Sequence, residues 1–288
     1  MLNRKIDNEI DAHFSNSKKA LFLTGARQVG KTYSIRKYAK LHGLNLIEFN
    51  FLLQPETMDI INGAGDVKEL LLRISAYSRV PLVRSRTLIF FDEVQECPDV
   101  MTWVKALVDE GSYIYALSGS LLGVELKDIR SVPVGYMSEM QVYPMDFEEF
   151  VRAVGVPENV LEAVKKSWSE KTLVDAYIHE KMMQLFQLYI IVGGMPAAVQ
   201  TYIDSNNIQN VVKEQRDIIN LYKKDIARYD QDVRKKLYIN EVFDLIPSEL
   251  NAKNKRFILK RLNENMTFGR HENDFIWLKD ADMALPTY

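Results

Sequence analysis

The chain has 288 residues, 47% of them hydrophobic, and a formal net charge of −2. This length allows one large domain or two, and the nearly balanced charge predicts no broad attraction to nucleic acid or to a membrane. The single cysteine, Cys97, excludes an internal disulfide and is typical of a reducing compartment, so we expect a cytoplasmic protein. No uninterrupted apolar run reaches the length of a membrane span.

The first motif lies between a predicted strand over 20–24 and a predicted helix over 32–41. It matches G-x-x-x-x-G-K-[ST], the pattern of a phosphate-binding loop. Its glycines let the backbone turn so that successive N–H groups face a phosphate, and the helix N-terminus adds partial positive charge. The predicted binding residues are Gly25, Ala26, Arg27, Gln28, Val29, Gly30, Lys31 and Thr32.

Two side chains at the end of this loop have predicted chemical roles. Lys31 can reach the β- and γ-phosphates and assist catalysis, and Thr32 can hold Mg²⁺. The chain lacks the Asn-Lys-x-Asp tetrad that reads guanine. By elimination the predicted nucleotide is ATP, and the predicted metal ion, from Thr32, is Mg²⁺.

Alternating strand and helix patterns continue to about residue 143. Apolar or alternating runs predict strands, residues 66–77 and 99–109 predict helices, and a short helix is predicted around Ile6 and Ile10. Such alternation is typical of a parallel sheet covered on both faces. The further predicted strands are 44–51, 87–91, 113–117 and 139–143.

Four apolar residues followed by Asp92 and Glu93 form a Walker B pattern about sixty residues after the loop. The apolar run predicts a buried strand, whose carboxyl end would place Asp92 where it can hold Mg²⁺. Glu93 can act as the base that polarises the attacking water. Glu93 and Lys31 are therefore the predicted catalytic residues.

Polar residues after the next strand are candidates for a sensor of the γ-phosphate. Ser118 and Ser120 are in the right place, although a turn after a strand also favours Ser and Gly. Hydrolysis is often completed by an arginine. Arg130 and Arg27 are the candidates within this chain, and a second copy is another source, which would make the protein a homo-oligomer.

Helical spacing replaces the alternation after Asp146, and residues 205–270 carry 14 basic and 9 acidic residues, a net charge of +5. We predict three parts: a nucleotide-binding domain over 1–150, a helical module over 151–230 and a winged-helix-like segment over 231–288. Pro247 is expected to end a helix after Ile246. The basic stretch could contact DNA, or its charges could simply cover solvated helix faces. Its residues are Lys253, Lys255, Arg256, Lys260 and Arg261.

Together these segments resemble the AAA-type domain of prokaryotic P-loop ATPases, which is followed by a C-terminal domain of unknown function. The resemblance implies an ASCE/AAA-type P-loop NTPase fold with a parallel central sheet flanked by helices, and an all-helical module with a winged-helix-like end. The family continues well beyond this length, so we expect its C-terminal domain to be truncated. The matching segments are Thr24–Thr32, Phe91–Gln95, Leu117–Ser120, Val132–Gly135, Tyr143–Phe150, Ile191–Pro196, Phe243–Pro247 and Phe275–Leu278.

Two functions follow as expectations. The first is Mg²⁺-dependent ATP hydrolysis coupled to conformational change, and intact Glu93 favours it. The second is a nucleotide-gated module with little turnover, whose helical C-terminal region binds a protein partner or DNA. No membrane contact is expected. We also expect an exposed apolar patch near Trp277, because four consecutive large apolar residues cannot all face one core from a helix.

Overall fold

The computed structural model describes residues 2–119, 135–229, 233–251, 275–279 and 281–284. The chain divides by its internal packing into two units, Met1–Glu214 and Gln215–Tyr288. The three-part division expected from the sequence stays a prediction. The basic stretch and the expected wing of a winged helix lie outside the described residues.

Five parallel strands form one sheet in the order β2-β3-β4-β1-β5. The predicted parallel sheet is therefore confirmed. β1 lies between β4 and β5, although β5 is the last strand in the sequence. The strands are β1 (Ala20–Thr24), β2 (Asn45–Asn50), β3 (Thr87–Asp92), β4 (Ile114–Ser118) and β5 (Met137–Gln141).

The helices flank this sheet and then follow it without further strands among the described residues. This confirms the predicted change from alternating elements to consecutive helices. Residues 275–279 add one more helical turn. The helices are α1 (Lys5–Asn16), α2 (Lys31–Leu41), α3 (Met58–Asn62), α4 (Val67–Tyr77), α5 (Asp99–Glu110), α6 (Phe147–Ala153), α7 (Glu158–Glu170), α8 (Ala176–Val192), α9 (Pro196–Ser205), α10 (Ile208–Tyr229) and α11 (Val233–Asn251).

Hydrophobic burial on both faces fixes the central strands. Every residue of β1 and β3 is buried, as expected for inner strands of a parallel sheet. One face packs Phe49, Phe91 and Leu117 into a core with α3, α4 and α5, while α2 contacts β2, β3 and β4. The carboxyl ends of β1, β3 and β4 therefore open at the same edge, beside the start of α2.

A second core joins the helices that follow the sheet. Met145, Phe150, Val192 and Val199 are buried together there. α6 begins at a capping box, in which the Asp146 side chain accepts from the backbone of Glu149 and the Glu149 side chain accepts from that of Asp146. This cap fixes the point at which the chain leaves the sheet.

Two expectations for the last unit are wrong. α11 passes through Pro247 to Asn251, because a proline removes a single N–H donor and the flanking turns stay helical; Ser248 Oγ donates to Leu245 O at 2.8 Å. Trp277 and Leu278 are buried, at 3% and 0% exposed, and only Ile276 of this run is strongly exposed. The run is therefore covered where we expected an apolar patch.

Among the described residues no individual helix combines the length and apolar composition needed to span a bilayer. One pair, Ala176–Val192 with Pro196–Ser205, meets both criteria only when joined, and it is bent by 118°.

Candidate functional site

The loop between β1 and α2 has the backbone conformation that its glycines permit. Gly25 has a φ of 133° and Gly30 a φ of 102°, both in the region that side chains disfavour. A Cβ on Gly25 would lie 2.2 Å from the carbonyl oxygen of Val142. Gly25 is therefore required by a close backbone contact as well as by its dihedral angles.

Lys31, the first residue of α2, is 5% exposed. Its Nζ donates to the carbonyl oxygens of Gly25 at 2.7 Å and Ala26 at 2.9 Å. The ammonium is thus held across the loop by neutral acceptors. A phosphate oxygen would be a stronger, charged acceptor for the same group.

Asp92, at the end of β3, is 2% exposed and accepts hydrogen bonds from three elements. Its donors are Thr32 Oγ1 at 3.1 Å, Asn50 Nδ2 at 2.8 Å and Ser118 Oγ. Burial raises the pKa of this carboxyl group, the bond from Ser118 opposes that shift, and the charge of Glu93 adds to it. A nearby cation would favour the ionised form.

Glu93 follows in a left-handed backbone conformation, with a φ of 59°. This geometry is uncommon for a residue with a side chain. Gln95 Nε2 donates to Glu93 Oε2 at 2.5 Å. One carboxylate oxygen is therefore held by an amide, and the other is the oxygen that could take a proton.

Two adjoining cavities open at this edge of the sheet. A cleft of about 250 Å³ is lined by the end of the loop, by Arg36 and by Glu93. A mostly apolar pocket of about 280 Å³ shares Gln28, Gly30 and Tyr33 with the cleft and adds residues from α9 and the N-terminus. The additional lining residues are Leu2, Arg4, Ser34, Pro196 and Gln200.

The structure brings most of the predicted residues together at this edge. Lys31, Thr32 and Glu93 line one cleft, and Asp92 bonds directly to Thr32. Ser118 is fully buried and donates to Asp92, while its role as a γ-phosphate sensor stays a prediction. Arg27 is partly buried in the loop. Ser120 and Arg130 lie outside the described residues.

Sequence reasoning missed three polar residues beside the site. Asn50 could have been predicted from its position at the end of the strand next to β3, because the carboxyl ends of neighbouring parallel strands lie at the same edge of the sheet. Gln95 follows the Walker B pair by two residues, and only the left-handed turn at Glu93 brings its amide back. Arg4 has no sequence signal, since its acceptors Val29, Tyr143 and Glu149 are distant along the chain.

The oxygen atoms of Thr32 and Asp92 fit a magnesium ion. Mg²⁺ prefers oxygen ligands at about 2.0–2.1 Å in an octahedron, so neighbouring ligands lie roughly 3 Å apart. The distances from Thr32 Oγ1 to the two Asp92 oxygens are 3.2 and 3.1 Å. No group of three or more His, Cys, Asp or Glu clusters among the described residues. Mg²⁺ needs only one or two carboxylates when phosphates and water complete its shell.

Comparison with family models assigns two segments of the chain. Residues 17–151 match the model described as AAA domain. Residues 183–287 match a domain of unknown function, DUF8612. A search of curated proteins found no match.

Several solved structures are similar to this chain. The Walker-type ATPase PABY2304 of Pyrococcus abyssi has a TM-score of 0.54 at 14% identity, covering 98% of this chain and 90% of that one. The structure of a Drosophila ORC bound to DNA has a TM-score of 0.41 at 12% identity, covering 97% of this chain and 81% of that one. The ORC1 protein of Aeropyrum pernix in complex with DNA scores 0.37 at 16% identity, with 98% and 84% covered.

At 14% identity the likeness to the Pyrococcus ATPase establishes the fold. The phosphate loop and the Walker B strand both lie within the residues that match the AAA domain model. Residues 17–151 therefore form an AAA-type P-loop domain, and residues 183–287 match a domain of unknown function.

Proposed function

We propose that this protein binds ATP with Mg²⁺ and hydrolyses it to ADP and phosphate. The observation that carries the proposal is the meeting of Lys31, Thr32, Asp92 and Glu93 at one edge of the sheet. The first two bind phosphate and metal in P-loop proteins, and the last two supply a metal ligand and a base.

The loop supplies the attraction for the phosphates. Its backbone N–H groups and the N-terminus of α2 present partial positive charge. Lys31 adds a full charge from a buried position, where electrostatic attraction is screened less than in water. These features support binding of a di- or triphosphate in the cleft.

Thr32 and Asp92 are the residues that would hold Mg²⁺. The bound ion would neutralise charge on the β- and γ-phosphate oxygens. Asn50 and Ser118 donate to the same carboxylate and orient it. Outer partners of this kind commonly fix the position of a metal ligand.

Glu93 is the proposed base for hydrolysis. The oxygen of a water molecule would bond to the γ-phosphorus while the bond to the β-phosphate oxygen breaks and ADP leaves. The proton lost by the water would pass to Glu93 and then to the released phosphate. The amide of Gln95 donates to Oε2 of Glu93, and this bond supports a fixed orientation of the base.

The apolar pocket is the proposed site of the adenine base. It shares residues of the phosphate loop and is closed by Leu2, Tyr33 and Pro196, which offer apolar surface to a flat ring. Pro196 starts α9, so one ligand would contact both the loop and the helices after the sheet. This supports the proposed coupling of nucleotide binding to conformational change.

One observation favours the alternative, a nucleotide-gated module with little turnover. Arg36 is the arginine that lines the cleft among the described residues. Its guanidinium is bound to Glu48 by two hydrogen bonds, of 2.8 and 2.6 Å. Fast hydrolysis would then need an arginine other than Arg36, either Arg27 or Arg130 of this chain or an arginine from a second copy.

The partner-binding part is proposed to be the helical C-terminal region. A protein partner or DNA remains the proposed ligand there, and a homo-oligomer would provide the arginine in trans. Sedimentation with and without ATP would detect self-association. A DNA shift assay over a salt series would detect an electrostatic nucleic-acid contact, which weakens steeply with salt.

The nucleotide site is tested by calorimetric titration of ATP and Mg²⁺ into wild type and Lys31→Ala. Loss of a charge-assisted hydrogen bond costs about 1.5–3 kcal/mol, so we expect the Kd to rise roughly tenfold or more. Lys40→Ala is the matched control, because Lys40 is an exposed lysine on the same helix. Equal affinities of wild type and Lys31→Ala would contradict the proposal.

A further inference from the structure

Arg4, the residue before α1, is a buried cation with three acceptors on three different segments. It is 7% exposed. Its Nε donates to Glu149 Oε1 at 3.0 Å, Nη1 to the carbonyl of Val29 at 2.8 Å, and Nη2 to the carbonyl of Tyr143 at 2.7 Å. A planar guanidinium can serve several acceptors in fixed directions. Arg4 therefore joins the phosphate loop to the segment between β5 and α6.

The partner carboxylate is fixed as firmly as the cation. Glu149 is 5% exposed. Its Oε1 also accepts from the backbone N–H of Lys5 at 2.7 Å, and its Oε2 accepts from the N–H of Asp146 at 3.0 Å. Because these donors belong to the starts of α1 and α6, the ion pair is positioned by backbone rather than by mobile side chains.

The bond to Val29 has a direct consequence for the loop. The carbonyl of Val29 and the N–H of Gly30 belong to one planar trans peptide, so they point in opposite directions. Gly30 lines the phosphate cleft. By holding the carbonyl, Arg4 fixes the plane of this peptide, and its charge polarises the N–H group.

The segment that follows β5 also contacts the turn between α8 and α9. Met145 N donates to Gly194 O at 2.7 Å, and the hydroxyl of Tyr189 donates to Met145 O at 2.8 Å. A Cβ on Gly194 would lie 2.2 Å from that same oxygen. Residues 142–145 thus lie between the phosphate loop, through Gly25 and Arg4, and the α8–α9 turn.

We propose that Arg4 is a positioning residue for the phosphate loop and that it couples nucleotide binding to the α8–α9 turn. The proposal rests on the proposed nucleotide site and adds a regulatory connection to it. Arg4 also lines the apolar pocket, and its proposed effect on the phosphate loop acts through the Val29–Gly30 peptide, whose carbonyl accepts from Nη1. Movement of this peptide on nucleotide binding would be passed through Tyr143 to Met145 and Gly194.

The test compares Arg4→Ala, Arg4→Lys and Arg152→Ala by calorimetric titration with ATP and Mg²⁺. Arg152 is half-buried and pairs with Glu148 of α6 and Glu158 of α7, so its variant removes an arginine ion pair that does not involve the phosphate loop and is the control. We expect Arg4→Ala to raise the Kd at least tenfold with an unchanged number of sites per chain. Arg4→Lys should give an intermediate Kd, and Arg152→Ala should stay within twofold of wild type.

Stoichiometry separates positioning from general damage to the fold. A misfolded fraction lowers the number of sites and leaves the Kd of the remainder unchanged. If circular dichroism shows that Arg4→Ala does not fold, the Kd of Arg4→Lys for ATP becomes the test. We expect that Kd to be at least threefold higher than in wild type. A wild-type Kd in the folded Arg4 variants, or a change confined to the number of sites, would overturn the proposal.

Hydrogen exchange tests the coupling. In wild type, ATP with Mg²⁺ should slow exchange at Met145 and over 193–195, and this protection should be absent in saturated Arg4→Ala. Protection that persists in the variant, or is absent in wild type that binds ATP, would overturn the coupling alone. If wild type bound no ATP, the proposed function would fail and this inference with it.

Discussion

Thr32 Oγ1 and the carboxylate of Asp92 are hydrogen-bonded at 3.1 Å although the two residues are sixty positions apart. Thr32 is the second residue of α2 and Asp92 ends β3, and these two elements are in contact. The two oxygen-bearing side chains proposed to hold Mg²⁺ are therefore close together in the folded chain. Such preorganisation lowers the entropic cost of binding.

We predict that Glu93→Gln retains ATP binding and loses hydrolysis. The amide is nearly the same size and cannot accept the proton from water. The Kd for ATP should stay within about threefold, and turnover should fall by roughly 10² or more. Phosphate release and calorimetry measure the two effects.

Glu96→Gln is the control for Glu93→Gln, since Glu96 is an exposed glutamate in the next turn. It should hydrolyse ATP at the wild-type rate. Wild-type turnover in Glu93→Gln would show that another group is the base.

We predict that Gln95→Ala slows hydrolysis without weakening ATP binding. Gln95 Nε2 holds one oxygen of the Glu93 carboxylate, and loss of this bond lets the base leave its orientation. A misplaced catalytic group commonly costs about 10²-fold in rate, so we expect a loss of roughly ten- to a hundredfold in kcat. Gln184→Ala, at an exposed position of α8, serves as the control. An unchanged kcat would remove Gln95 from the mechanism.

We predict that Gly194→Ala destabilises the protein by about 1–3 kcal/mol, the usual cost of forcing extra atoms into a packed site. Its Cβ would meet the backbone oxygen of Met145 at 2.2 Å, and backbone cannot move aside cheaply. Gly65→Ala is the matched control, because the atom nearest its Cβ is the end of the flexible Glu69 side chain at 3.2 Å. Urea denaturation of both variants gives the comparison, and equal stabilities would contradict the steric argument.

We predict that Glu148 contributes stability that is lost in acid. A hydrogen bond from Lys165, and then one from Lys5, lowers the pKa of Glu148 from 4.5 to about 2. Because the folded value is the lower one, the contribution is present above about pH 4.5 and is lost as the pH falls toward 2.

Glu148→Gln should therefore melt below wild type at pH 7, and this difference in Tm should shrink toward pH 3. Glu170→Gln is the control, since its partner Lys166 is 3.9 Å away on an exposed face. A difference in Tm that does not change with pH would exclude the titration of Glu148 as its cause.

The sequence was sufficient for the parts of the fold that depend on local pattern. The apolar run 88–91 predicted β3, and the loop glycines predicted the phosphate loop. Both predictions succeeded because burial of a strand and the dihedral angles of a tight loop depend on residues that are neighbours in the sequence. Arg4 was missed because its acceptor Glu149 is 145 positions away, and no periodicity links such residues. Pro247 was misjudged because the turns around a proline can keep the helix intact.

The inner position of β1 has a consequence for synthesis of the chain. β1 is made first, yet its neighbours β4 and β5 come last, so one edge of β1 can pair only after Ser118 has been made and the other only after Gln141. At roughly 5–20 residues per second the delay is on the order of ten seconds. During this delay Leu21 and Leu23 lie on an open strand edge, and open edges of this kind pair with other chains. Fragments that end before β5 should therefore aggregate, and the phosphate loop should acquire its shape only when β5 joins the sheet.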